Sequence, residues 1–548
     1  MTIEGDDCED ARTCLRCGDR SALGALVLIA VVSLVEQVRQ LASFGRRNVT
    51  EDQALLWVVA RDLGHGSVPQ PTFYGQDYGT AFEAAPVEVA RRLGFALPTA
   101  VPLVLSGLAL LGWWLIGAAS YRRGHRVLAC VAVGAPVLIA TEYSFMVSTY
   151  PTGLGRLLAA ACVAAIVMVD GDRPAWMAVA SLCGGLAYAC DASTAMVVVP
   201  AIGYALLCAP VGRRLKWTAV GAIGPVVWLT FLVVFFDRHG DYALHPGPSF
   251  SPSWSVLRSN LETPGRHFGV LAPELARVPV VPWLLIGAIV LALLIRARHR
   301  RSWAAIASVV GVLVVTVTIL SVPRSIDGWP NSIYLRPARV LLVFPVALWF
   351  CAYVANQAGV FAVGEPSTRT RIRRWSTSLV VVLVVISAGV RLVRFEGERD
   401  RTLSAAEATW QYQPWRAEAV AEVCASIDSA ARAAAVDAPV VFLKERLFAY
   451  ACAASWGDTD ATLFPEYERR TWLLHEAERI DPGVVMFYGA TESSCQQWIS
   501  EIESCAVVGE GLDAVVVRPH AGRTLMQTLI DLGITVRPYG AAMGASAR

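Results

Sequence analysis

Apolar runs of membrane-spanning length recur through the first three-quarters of this chain. They lie near residues 22–44, 100–119, 127–142, 153–169, 175–190, 193–209, 217–236, 280–296, 303–322, 339–356 and 376–393. A spanning helix needs roughly 20 apolar residues, and a backbone in lipid must satisfy its own hydrogen bonds. The runs therefore predict an all-α polytopic membrane domain of about 11 transmembrane helices. Composition agrees: 55% of residues are hydrophobic and 17% are charged, against roughly 25% charged in soluble domains. The net charge of +2 supplies no basic field for nucleic acid, so no nucleic-acid partner is expected.

Alternate loops are basic: Tyr121–Arg126 (YRRGHR), Val211–Lys216 (VGRRLK), Arg296–Ser302 (RARHRRS) and Arg369–Arg374 (RTRIRR). The positive-inside rule makes these cytoplasmic, with the N-terminus inside and the C-terminal tail outside. Residues 1–21 are then a cytoplasmic N-terminal tail, and the run from Ala22 reads as a signal anchor rather than a cleaved leader. Residues 22–395 form the membrane domain, with outer loops at 45–98 and 238–279. Residues 396–548 alternate strand-like runs (Val440–Leu443, Val484–Tyr488, Ala514–Val517) with helical stretches (Trp415–Ala435, Arg469–Ile480, Gln496–Ser504). That alternation predicts a small extracytoplasmic α/β domain. The bias toward Ala, Val and Arg suggests a GC-rich bacterial genome, hence a bacterial plasma membrane.

The first outer loop is the most informative segment. Two amphipathic stretches, Asp52–Leu63 and Thr80–Leu93, flank a centre rich in Gly, Pro and aromatic residues. Ala54, Leu55, Trp57, Val58 and Leu63 fall at helical spacing behind Thr50, a ready N-cap. Helices of this kind are expected to lie flat on the membrane surface. Glu51, Asp52, Asp77 and Glu83 place carboxylates beside apolar residues, where acid or base chemistry is accessible.

The same segment carries a resemblance. Asp52-Gln53-Ala54, Ala60-Arg61 and the run Gly75-Gln76-Asp77-Tyr78-Gly79-Thr80-Ala81-Phe82-Glu83-Ala84 resemble the first outer loop of GT-C-fold membrane glycosyltransferases. The similarity is to the family-39-like group, which includes protein O-mannosyltransferases and lipid A aminoarabinose transferases. Gln53 stands where that family has Glu. Weaker likenesses continue at Gly184–Tyr188 with Pro200, at Tyr334–Arg339 with Pro345, and in the tail at Phe442 and Ala449–Trp456.

The resemblance implies a transferase that moves a hexose or pentose from a polyprenyl-phosphate donor to an outer-face hydroxyl, with inversion. The lipid-linked sugar is a co-substrate, and no cofactor or metal is expected. The acceptor class stays open among glycan, glycolipid and protein, and membrane lipid is the other partner. Asp52 is the expected catalytic base, with Glu51 as the second choice. Asp77, Tyr78 and Glu83 are the expected acceptor- or donor-binding residues, and Arg336 and Arg339 the phosphate ligands, because guanidinium binds phosphate bidentately.

Each residue also has a plainer reading. Asp52 suits the first turn of a helix, Asp77 suits a Gly-rich turn, and Arg336 and Arg339 suit interfacial anchoring. A transporter or lipid flippase, or a non-catalytic relative, remains the alternative function. A transporter is expected to hold ionisable residues at mid-membrane, whereas here they lie at span ends. Glu36 and Arg39 are expected to pair with each other. Glu142 and Asp191, at span ends, are expected to be solvated.

Cys8, Cys14 and Cys17 lack a visible fourth zinc ligand. Cys424, Cys452, Cys495 and Cys505 in the tail allow three disulfide pairings, of which Cys495–Cys505 is preferred.

Overall fold

The computed structural model describes residues 7–66, 68, 70–74, 79–169, 173–208, 211–239, 252–262, 281–295, 300–321, 337–360, 366–408, 415–433, 440–443, 450–452, 462–465, 481–508 and 514–534. The chain is mostly helical, with a small sheet region near its C-terminus.

Helices carry every apolar run: α1 (Asp7–Ser43), then, after two loop helices α2 (Glu51–His65) and α3 (Ala85–Arg92), α4 (Leu97–Arg122), α5 (Arg126–Leu138), α6 (Thr141–Thr149), α7 (Gly153–Met168), α8 (Trp176–Cys190), α9 (Ala195–Leu207) and α10 (Val211–Arg238). The amphipathic α11 (Trp254–Glu262) precedes α12 (Val281–Ile295), α13 (Arg300–Ser321), α14 (Pro337–Gln357) and α15 (Pro366–Ala408). Among the described residues, five stretches are long and apolar enough to cross a membrane: Ser21–Arg47, Leu97–Arg122, Gly212–Arg238, Arg301–Ser321 and Trp375–Asp400. Counting the bent pair α5–α6 as one gives six. The apolar helix α7 has 16 residues and extends only about 24 Å at 1.5 Å per residue, short of the roughly 30 Å hydrocarbon layer. The spans in α1, α10 and α15 expose large aliphatic side chains such as Val35, Val233 and Leu392, the surface a lipid contact requires.

Two helix expectations change here. The run at 127–142 is not one helix: α5 and α6 are bent by 82°. Pro136 removes a donor near the end of α5, and Ile139 and Ala140 hold extended ψ angles of 158° and 155°, which break the ladder. Helix α1 starts at Asp7, inside the stretch expected to be a polar tail.

Helix α15 runs on past residue 395 to Ala408, and the rest of the tail follows it. There, β1 (Asn48–Val49) from the first outer loop pairs antiparallel with β2 (Trp415–Arg416). A five-stranded sheet follows, in the order β4-β3-β5-β7-β6. It is built from β3 (Val440–Leu443), β4 (Thr462–Pro465), β5 (Val485–Tyr488), β6 (Ser504–Val507) and β7 (Ala514–Arg518). Strand β3 is parallel to β4 and β5, whereas β5, β7 and β6 are antiparallel.

Helices α16 (Ala417–Ala433), α17 (Glu492–Trp498) and α18 (Leu525–Asp531) accompany the sheet. The helix expected at Gln496–Ser504 forms earlier, because a capping box at Thr491 starts it at Glu492. Ser504 instead opens an edge strand. Disulfides join Cys424 to Cys452 and Cys495 to Cys505, the second being the expected pair. The expected helix Arg469–Ile480 and most of the 238–279 loop lie outside the described residues.

Helix α2 does not present one free face. Gln53 through Ala60 are all buried, and the apolar residues of this stretch join one continuous cluster with the start of α4 and the tail residues Val420, Ile427, Phe487 and Val515. The loop helix expected to lie on the membrane surface is enclosed between the helical domain and the tail.

Candidate functional site

The head of α2 is held by its own sequence and by one distant carbonyl. The Thr50 hydroxyl accepts from the Gln53 backbone N–H at 3.2 Å, and Gln53 Oε1 accepts from the Thr50 N–H at 2.9 Å. This is a capping box. The Gln53 amide nitrogen then donates to the Ser148 carbonyl on α6 at 3.0 Å. An ionised glutamate here could cap α2 but could not make that second bond, since a carboxylate has no hydrogen to donate. Gln53 is 1% exposed. Glu51 and Asp52, the first two residues of α2, are half-buried. Among the described residues, no hydrogen bond or ion pair holds the Asp52 carboxylate.

Glu83 belongs to a 3-10 turn at Ala81–Ala84, started by Thr80, whose hydroxyl accepts from the Phe82 N–H at 3.2 Å. This turn packs against α2. The Glu83 carboxylate reaches the first turn of α7, accepting from the backbone N–H groups of Leu154 and Gly155, each at 2.8 Å. These are donors that a helix cannot satisfy internally, at the positive end of its dipole. The approach depends on Gly155: a Cβ there would sit 2.9 Å from Cys190 Cβ and 3.2 Å from Glu83 Oε1. Glu83 is 3% exposed, and burial pushes its carboxyl up to about 7 despite the two N–H donors.

Asp191 stands next to Glu83, at the turn between α8 and α9. Its Oδ1 accepts from the Ser193 N–H at 2.9 Å and caps the 3-10 turn Ala192–Thr194. Burial raises its carboxyl above the usual range, so the solvated helix end expected for it is instead an enclosed carboxyl. Arg156, on α7, is also buried beside both acids.

Asp77, Tyr78 and Arg336 lie outside the described residues, and Arg339 is described only as backbone within α14. Of the expected site residues, Asp52, Glu51 and Glu83 share one packed unit made by α2, the Ala81–Ala84 turn and α4. Sequence reasoning missed Arg156 and the tether at Gln53. The signal available was Pro151-Thr152-Gly153-Leu154-Gly155-Arg156, where two small residues at a helix start leave its N–H groups open to a carboxylate.

Farther along, Glu36 pairs bidentately with Arg39 at 2.7 and 2.9 Å, as expected, and also faces the buried Arg391 of α15 at 3.5 Å. Among the described residues, no group of three or more His, Cys, Asp or Glu side chains is arranged to hold a metal ion. No protein-family model matches the chain, and no curated protein does either.

Proposed function

We propose that this chain is a membrane glycosyltransferase of GT-C type that moves a sugar from a polyprenyl-phosphate donor to an acceptor hydroxyl at the outer face of a bacterial plasma membrane. The observation that carries the reading is Asp52. It is a half-buried carboxylate at the head of a rigidly capped helix, with no hydrogen bond or ion pair among the described residues. It occupies the position matching the family's acidic residue in a loop that otherwise resembles the family's.

In this reading the chain crosses the membrane about 11 times. Three features support it: the alternation of basic loops, the helix in every apolar run, and the distribution of cysteines. The tail cysteines Cys424, Cys452, Cys495 and Cys505 are paired, whereas Cys130, Cys162, Cys183, Cys190, Cys208 and Cys351 in the helical domain are free. Disulfides persist in oxidising compartments, which supports the reading of the tail and the first outer loop as outer-side segments.

The acceptor hydroxyl attacks the anomeric carbon and gives its proton to the Asp52 carboxylate. The bond from that carbon to the phosphate oxygen breaks on the opposite face, the configuration inverts, and the lipid phosphate leaves as the anion. General-base catalysis contributes about 10²–10⁴-fold. Asp52→Asn in reconstituted membranes is therefore expected to lower transfer of a labelled sugar from its polyprenyl phosphate by about that factor. Equal transfer by the variant removes Asp52 from the role. Absence of transfer from any such donor, with substrate flux across the vesicle, replaces the reading with a transporter.

A further inference from the structure

One edge of the tail's sheet has no neighbouring strand among the described residues. Strand β6 stands last in the sheet order and pairs there with β7 alone. The Val508 N–H donates to the Ala514 carbonyl at 2.9 Å. Bonded and non-bonded pairs alternate along an antiparallel ladder, so Ala506 bonds with Val516, and the N–H and C=O groups of Cys505 and Val507 point away from β7. Outward ladder groups of this kind are a template for a further strand. Strand β6, Ser-Cys-Ala-Val, carries neither the proline nor the lysine that commonly blunts an edge.

The side chains of Cys505 and Val507 are two residues apart and therefore share one face of the sheet. The Cys495–Cys505 disulfide holds α17 on that face, and Trp498 of α17 packs there on Phe487 of β5, with ring centroids 5.0 Å apart. Between α17 and β6 lies a groove of about 430 Å³, lined by Glu492, Cys495, Gln496, Ile499, Cys505 and Val507. Its apolar walls are open to solvent: Ile499 is 60% exposed and Val507 47%. A helix stapled beside an open edge offers an extended chain main-chain partners and a wall for alternate side chains.

Charge selects the occupant. From Thr491 to Val508 the chain carries Glu492, Glu501 and Glu503, all exposed, and no Lys or Arg. Arg518, opposite Ser504 on β7, is the cation nearest in register. A second copy of this edge would set acids against acids, which destabilises a strand pair, and an anionic surface is repelled in the same way. We propose that β6 and the α17 groove dock an extended polypeptide segment in which apolar residues alternate with lysine or arginine. Its backbone pairs with Cys505 and Val507, its apolar side chains enter the groove beside Ile499, and its cations meet the glutamates. The proposal stands apart from the glycosyltransferase reading, and its test needs no sugar donor.

The test uses the full chain in phosphatidylcholine nanodiscs and fluorescence anisotropy with two labelled short peptides, one alternating valine with lysine and one alternating valine with glutamate. The wild type is expected to bind the lysine peptide roughly tenfold more tightly, with an affinity that falls as salt rises. Val507→Pro deletes an outward N–H and keeps the ladder bonds of Ala506 and Val508. Thermal unfolding should then stay unchanged while lysine-peptide affinity falls roughly fivefold, the effect of one hydrogen bond. Ile499→Ser, at an exposed groove position away from the strand, is expected to weaken the same peptide several-fold and decides the matter if the proline disturbs the fold. Equal binding of the two peptides, or binding of neither, overturns the proposal. Lysine-peptide affinity unchanged in a folded Val507→Pro chain overturns it too, because the contact then involves no added strand. A wild-type dimer in light scattering that Val507→Pro separates would assign the edge to a second copy and overturn it as well.

Discussion

Gln53→Glu isolates the tether that fixes the head of α2. The substitution is isosteric and keeps an acceptor for the Thr50 N–H, but it removes the donor to the Ser148 carbonyl 3.0 Å away. A buried acceptor left without its donor costs about 1–3 kcal/mol, and more when the group facing it is charged. With residue 53 only 1% exposed, the expected deficit at pH 8 is about 3 kcal/mol. The sign with pH follows from the new carboxyl. Burial against a carbonyl raises its folded pKa above the free value of about 4.3. The deficit is therefore absent below about pH 4.3, where a neutral carboxyl donates to Ser148, and develops as pH rises through the folded pKa. Gln53→Met, which has nothing to titrate, should show a loss independent of pH relative to wild type. The assay is thermal unfolding of the full chain in detergent at pH 5 and pH 8, each variant read as a difference from wild type. A Gln53→Glu chain as stable as wild type at pH 8, or with the same deficit at both pH values, would refute the claim that the amide nitrogen holds α2.

Two further predictions follow from the loop and the tail. Because burial lifts the Glu83 carboxyl from 4.5 to about 7, its contribution to stability is fully present below pH 4.5 and is lost as pH rises to 7. At about 1.4 kcal/mol per pKa unit this amounts to about 3 kcal/mol. Denaturation profiles should show this slope in wild type and lack it in Glu83→Gln, and equal slopes would contradict the assignment. In the tail, the Cys424–Cys452 bridge closes a separation of 28 residues and Cys495–Cys505 one of 10. Loop-closure entropy gives about 3.6 and about 2.7 kcal/mol respectively, so Cys452→Ala is expected to lower tail stability more than Cys505→Ala in chemical denaturation, and the reverse order would refute the chain-entropy account.

Much of the helical architecture was legible because each feature is local. Apolar length marks a helix in lipid, and a helix was found in every such run. Thr50 was readable as an N-cap because its partner Gln53 is three residues away. The tail strands at Val440–Leu443 and Ala514–Arg518 were visible in β-branched runs bounded by turn residues. The break between α5 and α6 was less readable, since hydropathy continues across residues whose backbone turns extended. The misplaced helix at Gln496–Ser504 has a similar cause: a four-residue edge strand has too few residues to show its period.

The candidate site divides along the same line. Local pattern picked out Asp52, Glu51 and Glu83 as carboxylates in one outer loop, and composition determined that the chain must build helices around apolar surface. Tertiary structure decided what each group does with its charge. Glu83 meets N–H groups more than 70 residues ahead of it, Gln53 reaches a carbonyl 95 residues away, and the charges of Arg156 and Asp191 come near Glu83 from separate helix ends. A hydrogen bond is directional and a few ångströms long. It therefore depends on how distant helices pack, which hydropathy alone leaves unspecified.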